Sequence, residues 1–179
     1  MKCMLLALMV CLVGTTYAQE SNDGIKFVEN MTFEQALALA KKENKLLFID
    51  CYTSWCGPCK MMARDVFTQK IVGDYFNPKF VSLKVDMEKG EGIQLKDKFE
   101  VRAFPTFVIL NGEGEILIRL VGGGKAEEFI ERVKNSLSEK GLLALQKRYN
   151  AGERGTEFLN DYIKALSEAY LSDECAKVA

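Results

Sequence analysis

The chain has 179 residues, room for one domain and an appendage, and its 48% hydrophobic and 27% charged content is that of a protein that buries a core. A formal net charge of −1 with no dense Lys/Arg run excludes a basic nucleic-acid footprint. There is no histidine, which excludes His triads, His general bases and His metal ligands.

Residues 1–18 have the pattern of a cleavable signal peptide. Lys2 is followed by the apolar run Met4–Val13, and Thr16 and Ala18 are small residues suited to cleavage after Ala18. The run is too short to span a bilayer, which takes about 20 residues. The pattern predicts export to the periplasm or beyond, with no stable membrane insertion once the segment is removed. An uncleaved anchor and a lipid-modified Cys11 are the other readings, and bulky Val10 before Cys11 disfavours the second.

After a polar leader at 19–24, Ile25, Phe27 and Val28 predict a short edge strand. Thr32 with Gln35 three residues on is a capping box, and Phe33, Ala36, Leu37 and Ala40 give a helix over 33–43. Lys45 to Cys51 is a short apolar run containing Asp50, which predicts a buried central strand. Pro58 suits the first turn of a helix, whose apolar face of Met61, Met62, Val66 and Phe67 runs to about Gln69. A second helical piece follows at 71–76, then a strand at 80–86 and a helix at 91–99. The strands 106–110 and 115–121 flank an Asn111-Gly112 turn. Gly122, Gly123 and Gly124 then break the chain before a helix at 125–138. Gly122 and Gly123 either simply end the strand or let a substrate backbone approach. The order β-α-β-α-β-α-β-β-α predicts an α/β fold, a mixed central sheet with helices on both faces. Beyond it, apolar stripes at 142–149 and 158–166, separated by Gly152 and Gly155, predict an antiparallel helical hairpin. Ala165, Ala169, Leu171 and Val178 would be left as its apolar surface, one that recruits a partner or marks the start of a longer helical region. The organisation expected is thus 1–18 signal peptide, 19–139 sheet domain, 140–179 helical extension.

Loss of residues 1–18 removes Cys3 and Cys11 and leaves Cys51, Cys56, Cys59 and Cys175. Two of the four lie three residues apart, which suggests chemistry rather than stapling. At a strand-to-helix junction the first, Cys56, sits at the helix N-terminus, where unpaired N–H groups and the positive end of the dipole stabilise a thiolate. Cys59, one turn on, is placed to resolve a mixed disulfide. Trp55 supplies a flat apolar surface beside them. A half zinc site completed by Cys51, Cys175 or carboxylates, and a permanent structural disulfide, are the alternatives. Cys51 is expected to be a buried small hydrophobe and Cys175 a free thiol or a pairing partner.

Trp55-Cys56-Gly57-Pro58-Cys59-Lys60 is identical to the active-site hexapeptide of the thioredoxin family, and residues 25–138 resemble that family throughout. Asp50, six residues before Cys56, matches its buried aspartate, and Arg102-Ala103-Phe104-Pro105-Thr106 resembles its segment with a cis proline. The phrase Phe80 to Asp86 is more similar to secreted members. The resemblance implies a thioredoxin-like fold, with Cys56 as nucleophile, Cys59 as resolving thiol and Asp50 exchanging a proton with Cys59. It implies a substrate surface of Trp55, Gly57, Pro58, Phe104 and Pro105, and no metal or cofactor. The Gly57-Pro58 spacer and bulky Phe104 resemble reducing members. They imply a dithiol reductase of protein disulfides, recharged outside the cytoplasm by a membrane-bound electron donor. A thioredoxin-fold interaction protein whose C-terminal helices dock a partner is the alternative. Three departures stand out: the stretch from Asp86 to Pro105 is a few residues longer than in the family, the family's buried lysine aligns with Ser82, with Lys84 two residues on, and the helices of 140–179 have no counterpart.

Overall fold

The computed structural model of the chain describes residues 23–138, 141–168 and 172–178; the signal-peptide reading of 1–18 and the surface reading of Ala169 and Leu171 fall outside them. Helix α1 (Phe33–Lys42) begins at the capping box: the Thr32 hydroxyl accepts from the Gln35 N–H at 3.3 Å, and the Gln35 side chain accepts from the Thr32 N–H at 2.9 Å. Strand β1 (Leu46–Tyr52) follows, then α2 (Gly57–Met61) with Pro58 in its first turn. The helix does not run on regularly to Gln69. It widens into a π-helical turn over Met62–Val66, closed by the Phe67 N–H donating to the Met62 carbonyl five residues back. Helix α3 (Lys70–Phe76), strand β2 (Phe80–Asp86), helix α4 (Gly92–Lys98), strands β3 (Thr106–Leu110) and β4 (Ile116–Val121) and helix α5 (Ala126–Ser136) complete the domain.

The sheet order is β2-β1-β3-β4, with β1 parallel to β2 and antiparallel to β3. The edge strand expected at 25–28 is reduced to one parallel bridge, Phe27 to Ser82. The Val28 N–H still donates to the Ser82 carbonyl at 2.8 Å, but Asn30 then takes φ 55° and turns the chain toward α1 before a ladder can grow.

Side chains of β1 alternate between two cores, as a strand buried on both faces requires. Leu47, Ile49 and Cys51 join α1 and α4 through Phe33, Ala36, Leu95 and Phe99. Phe48 points the other way, into a phenylalanine cluster with Phe67, Phe76, Phe80, Phe107 and Phe129 under the π turn, α3 and α5. Each such ring pair adds about 0.5–1.5 kcal/mol beyond its area burial. Asp50 shares the Phe48 face, so a carboxyl group is carried toward the side of the sheet on which the Cys59 helix packs.

Among its described residues the extension holds three helices rather than two: α6 (Leu142–Asn150), which runs beside β4, α7 (Thr156–Glu168) and α8 (Ser172–Val178). Gly152, at φ 98°, makes the turn between the first two. Leu145, Phe158, Tyr162 and Leu166 are its buried centre, and α8 adds Cys175 and Val178 to that cluster. Ala165 and Val178 therefore pack inside instead of forming a free surface. Among the described residues of the extension no large apolar side chain is exposed, so the apolar recruiting patch expected there does not form among them. The physical reason is α8, which covers what a two-helix hairpin would have left open.

Candidate active site

At the end of β1 the Thr53 carbonyl accepts from the Cys56 N–H at 3.2 Å, a turn that makes Cys56 the N-cap residue of α2. The Cys56 sulfur accepts from the Cys59 N–H at 3.1 Å. A sulfur in that position takes the place of a capping oxygen, and negative charge on it is favoured by the amides and dipole of the helix start. The two cysteines are joined, with an S–S distance of 2.01 Å and Cα atoms 5.3 Å apart. Both are buried, Cys56 at 3% exposure and Cys59 at 4%. An exposure difference in favour of Cys56 is thus absent in the disulfide form. What distinguishes the two is position, one capping the helix and the other a turn inside it.

Three backbone segments, one of them carrying the pair, are linked to one another in a ring. Trp55, 64% exposed, meets the edge of Phe104 with ring centres 5.9 Å apart, joining the cysteine turn to the segment before β3. In that segment the Phe104–Pro105 peptide is cis, Pro105 is buried, and the Thr106 hydroxyl donates to the Ala103 carbonyl at 2.8 Å. The Pro105 carbonyl accepts from the Gly122 N–H at 2.8 Å, joining it to the glycine segment after β4. Gly123 in turn lies against Met61 and Met62, since a Cβ built on it would stand 3.1 Å from the Met62 sulfur. That closes the ring back onto the helix of Cys59. Gly57 and Pro58 are exposed at its rim, and a Cβ at Gly57 would meet nothing within 4 Å.

Asp50 is 1% exposed, and its Oδ1 has no hydrogen-bond partner among the described residues. Burial pushes its pKa from 3.8 up to about 7, against the pull of the Lys84 ammonium. Lys84 stands directly opposite Asp50 in the β1–β2 register, with Nζ 4.0 Å from Oδ2. The same Nζ lies 5.4 Å from the ring centres of both Phe27 and Tyr52. The pleat explains the match: Ser82 and Lys84 share a strand face, and Lys84 is the one aligned with Asp50 while Ser82 faces Phe48.

The other two cysteines stand apart from this site. Cys51 points into the opposite core, where burial and the neighbouring Asp50 raise its thiol pKa well above the ordinary range. Cys175 belongs to the cluster of the extension, its thiol 3.9 Å from the Ile163 carbonyl. Both are free. The zinc alternative required further ligands from these two or from carboxylates beside Cys56 and Cys59, and among the described residues no group of three potential ligands forms. Two residues escaped the sequence reading. Glu88 accepts the Trp55 indole N–H at 2.8 Å and fixes the ring. Arg132 of α5 donates to the carbonyls of the glycine segment. Glu88 was marked only by lying just past Asp86, at the same end of the sheet as the cysteines; Arg132 carried no local signal.

Comparison with known proteins agrees with this geometry. The thioredoxin family model matches residues 24–135. Thioredoxin Y2, chloroplastic, of Arabidopsis thaliana is 29% identical over 116 residues, 65% of this chain and 66% of that protein. Thioredoxin H4 of the same plant is 33% identical over 119 residues, 66% of this chain and 95% of its own length. The chain spans a little under two thirds of the length of the chloroplast relative. Among solved structures, a proposed disulphide isomerase from Bacteroides thetaiotaomicron is 51% identical, covering 63% of this chain and 93% of that one with a TM-score of 0.58. The oxidised C-terminal domain of DsbD from Neisseria meningitidis is 25% identical, covering 61% and 97% with a TM-score of 0.51. A four-stranded mixed sheet that presents a Cys-Gly-Pro-Cys disulfide at a helix start, matched along the whole domain, has one consistent assignment: the chain belongs to the thioredoxin family.

Proposed function

We propose that the chain is a thiol–disulfide oxidoreductase working as a dithiol reductase of protein disulfides. The observation that carries this reading is the Cys56 sulfur capping α2 and accepting the Cys59 N–H, with exposed Trp55 beside it. In the reduced protein the Cys56 thiolate attacks one sulfur of a substrate disulfide. A mixed disulfide forms and the first substrate thiolate leaves. The Cys59 thiolate then attacks the Cys56 sulfur, the Cys56–Cys59 bond forms, and the second substrate thiolate leaves. Two electrons pass to the substrate, and the oxidised enzyme is the form in which the two cysteines are joined. Asp50, neutral near pH 7 for part of the population, serves as proton acceptor for Cys59 and donor on the return. Trp55, Gly57, Pro58, Phe104 and Pro105 form the surface on which an extended substrate segment lies.

The apolar run at 4–13 supports export, and a reductase in an oxidising compartment needs a source of electrons, which assigns a membrane-bound donor as its partner. The Gly57-Pro58 spacer supports the reducing direction. Insulin reduction with dithiothreitol tests the activity: turnover by the native chain, lost about 1,000-fold or more in Cys56→Ser, is the expected result. No turnover by the native chain would overturn it. The direction is tested by equilibration with glutathione. The proposal expects a potential nearer thioredoxin's value of about −270 mV than the periplasmic oxidant's of about −120 mV.

A further inference from the structure

We infer that Arg132 is a positioning residue for the reductase site, holding the segment Val121-Gly122-Gly123 as a preformed wall of the substrate groove. The inference rests on the reductase reading above for its kinetic consequence but on the geometry alone for its structural one.

Arg132 lies half-buried on α5 and makes no ion pair among the described residues. Its Nη2 donates to the Val121 carbonyl at 2.7 Å, and its Nη1 to the carbonyls of Gly122 at 3.1 Å and Gly123 at 3.3 Å. A guanidinium offers several donors in one rigid plane, so one side chain can hold successive carbonyls that a lysine would meet one at a time. The segment needs such a clamp. Three successive glycines carry the greatest backbone freedom of any residue type, and Gly122 takes φ 85°, a conformation with little intrinsic bias toward the one seen. The segment is also where a small error matters. Gly122 donates to the Pro105 carbonyl, and Gly123 packs on Met62, so a shift of 121–123 is felt both beside Phe104 and on the helix of Cys59.

The clamp therefore works before substrate arrives: it removes ordering that binding would otherwise have to supply, which lowers KM rather than raising kcat. It also engages each of three successive carbonyls in a hydrogen bond. Arg132 donates to three carbonyls and to neither sulfur, and those carbonyl dipoles solvate its charge locally. The reactivity of Cys56 and the potential of the pair are then independent of it.

The test uses the full chain with Arg132→Lys and Arg132→Gln, and independently Gly123→Ala, which presses the same segment away from Met62. Steady-state reduction of insulin is expected to show KM raised about tenfold in Arg132→Gln and less in Arg132→Lys, with kcat within about twofold of native. The glutathione equilibrium potential and the rate of Cys56 alkylation should not move. In amide hydrogen exchange on the oxidised proteins, which needs no activity, the Gly122 N–H should exchange about tenfold faster in the variants while the β1 amides keep their protection. A native KM in folded Arg132→Lys and Gly123→Ala, or unchanged Gly122 exchange, overturns the inference, and these two decide the matter if Arg132→Gln does not fold. A change in potential alongside KM overturns it too, since Arg132 would then act on the thiols. Failure of the native chain to reduce insulin counts against the reductase reading alone and leaves the exchange experiment to decide the clamp.

Discussion

The sheet domain and the helical extension differ in what their buried groups are for. The domain buries a carboxyl group, Asp50, with one oxygen unpaired among the described residues, and the Lys84 beside it stays exposed. Burying that carboxyl group costs stability. The extension buries Leu145, Phe158, Tyr162 and Leu166, and the Arg148–Glu153 pair stays at its surface. A fold keeps an expensive buried acid where chemistry uses it and fills an accessory unit with side chains that only pack. The thioredoxin family model matches residues 24–135 and does not reach the helices of the extension.

That contrast is most directly broken at Asp50. Its pKa is raised in the folded state, so its stabilising neutral form is fully present below the unfolded value of 3.8 and is lost as pH rises through about 7. About three pKa units at 1.36 kcal/mol each make roughly 4 kcal/mol. Asp50→Asn removes the penalty. In urea unfolding of the oxidised proteins the variant should gain about 4 kcal/mol over native at pH 8 and little at pH 4. Turnover at pH 7 should fall about tenfold or more, because the resolving thiol loses its proton acceptor, while Cys56 alkylation is preserved. A stability difference that is the same at both pH values would remove Asp50 as a buried acid. Unchanged insulin reduction would remove it from the mechanism.

A smaller effect is expected at Trp55, the one tryptophan of the chain and therefore an unambiguous fluorescent reporter. Its indole N–H is held by Glu88, a bond to a carboxylate and so of the stronger kind. In Glu88→Leu the ring is freed from the Asp86–Glu88 loop but keeps its contact with Phe104. KM should rise about threefold with the fold intact, and the fluorescence change on reducing the disulfide should differ from native. Identical spectra in both redox states would show that Glu88 does not position the ring.

Much of this was legible because local rules and global fold agreed. Thr32 and Gln35 announce α1 through a bond between neighbours in sequence, and Pro58 after the cysteine turn marks a helix start that no strand would tolerate. The parts that were not legible depend on partners far along the chain. The bridge at Phe27 depends on Ser82, and the roles of Glu88 and Arg132 depend on Trp55 and on 121–123. A π turn keeps the same apolar residues as an α turn, so Met62, Val66 and Phe67 could not reveal it. Helix α8 spans only seven residues, with Cys175 and Val178 as its inward positions, too short for a period to show.

The smallest effect on catalysis should come from the extension, and it is the sharpest test of the division. Leu145 is 1% exposed at the centre of a cluster that, among the described residues, contains no side chain of the sheet domain. Leu145→Ala removes the branched end of the side chain and leaves a cavity, at a cost of about 2–5 kcal/mol to whatever unit cooperates with it. If that unit is α6 to α8 alone, limited proteolysis should open sites in 141–178 while residues 23–138 survive, and insulin reduction should stay within about twofold of native. Truncation after Ser138 should give the same turnover. Because α6 runs beside β4, the end of the sheet is where any coupling must pass. The glycine segment 121–123 begins at the last residue of that strand. A Leu145→Ala protein that keeps its sheet domain but raises KM as the Arg132 variants do would show that the extension steadies the groove through β4, and the two regions would then be one machine rather than a machine and its attachment.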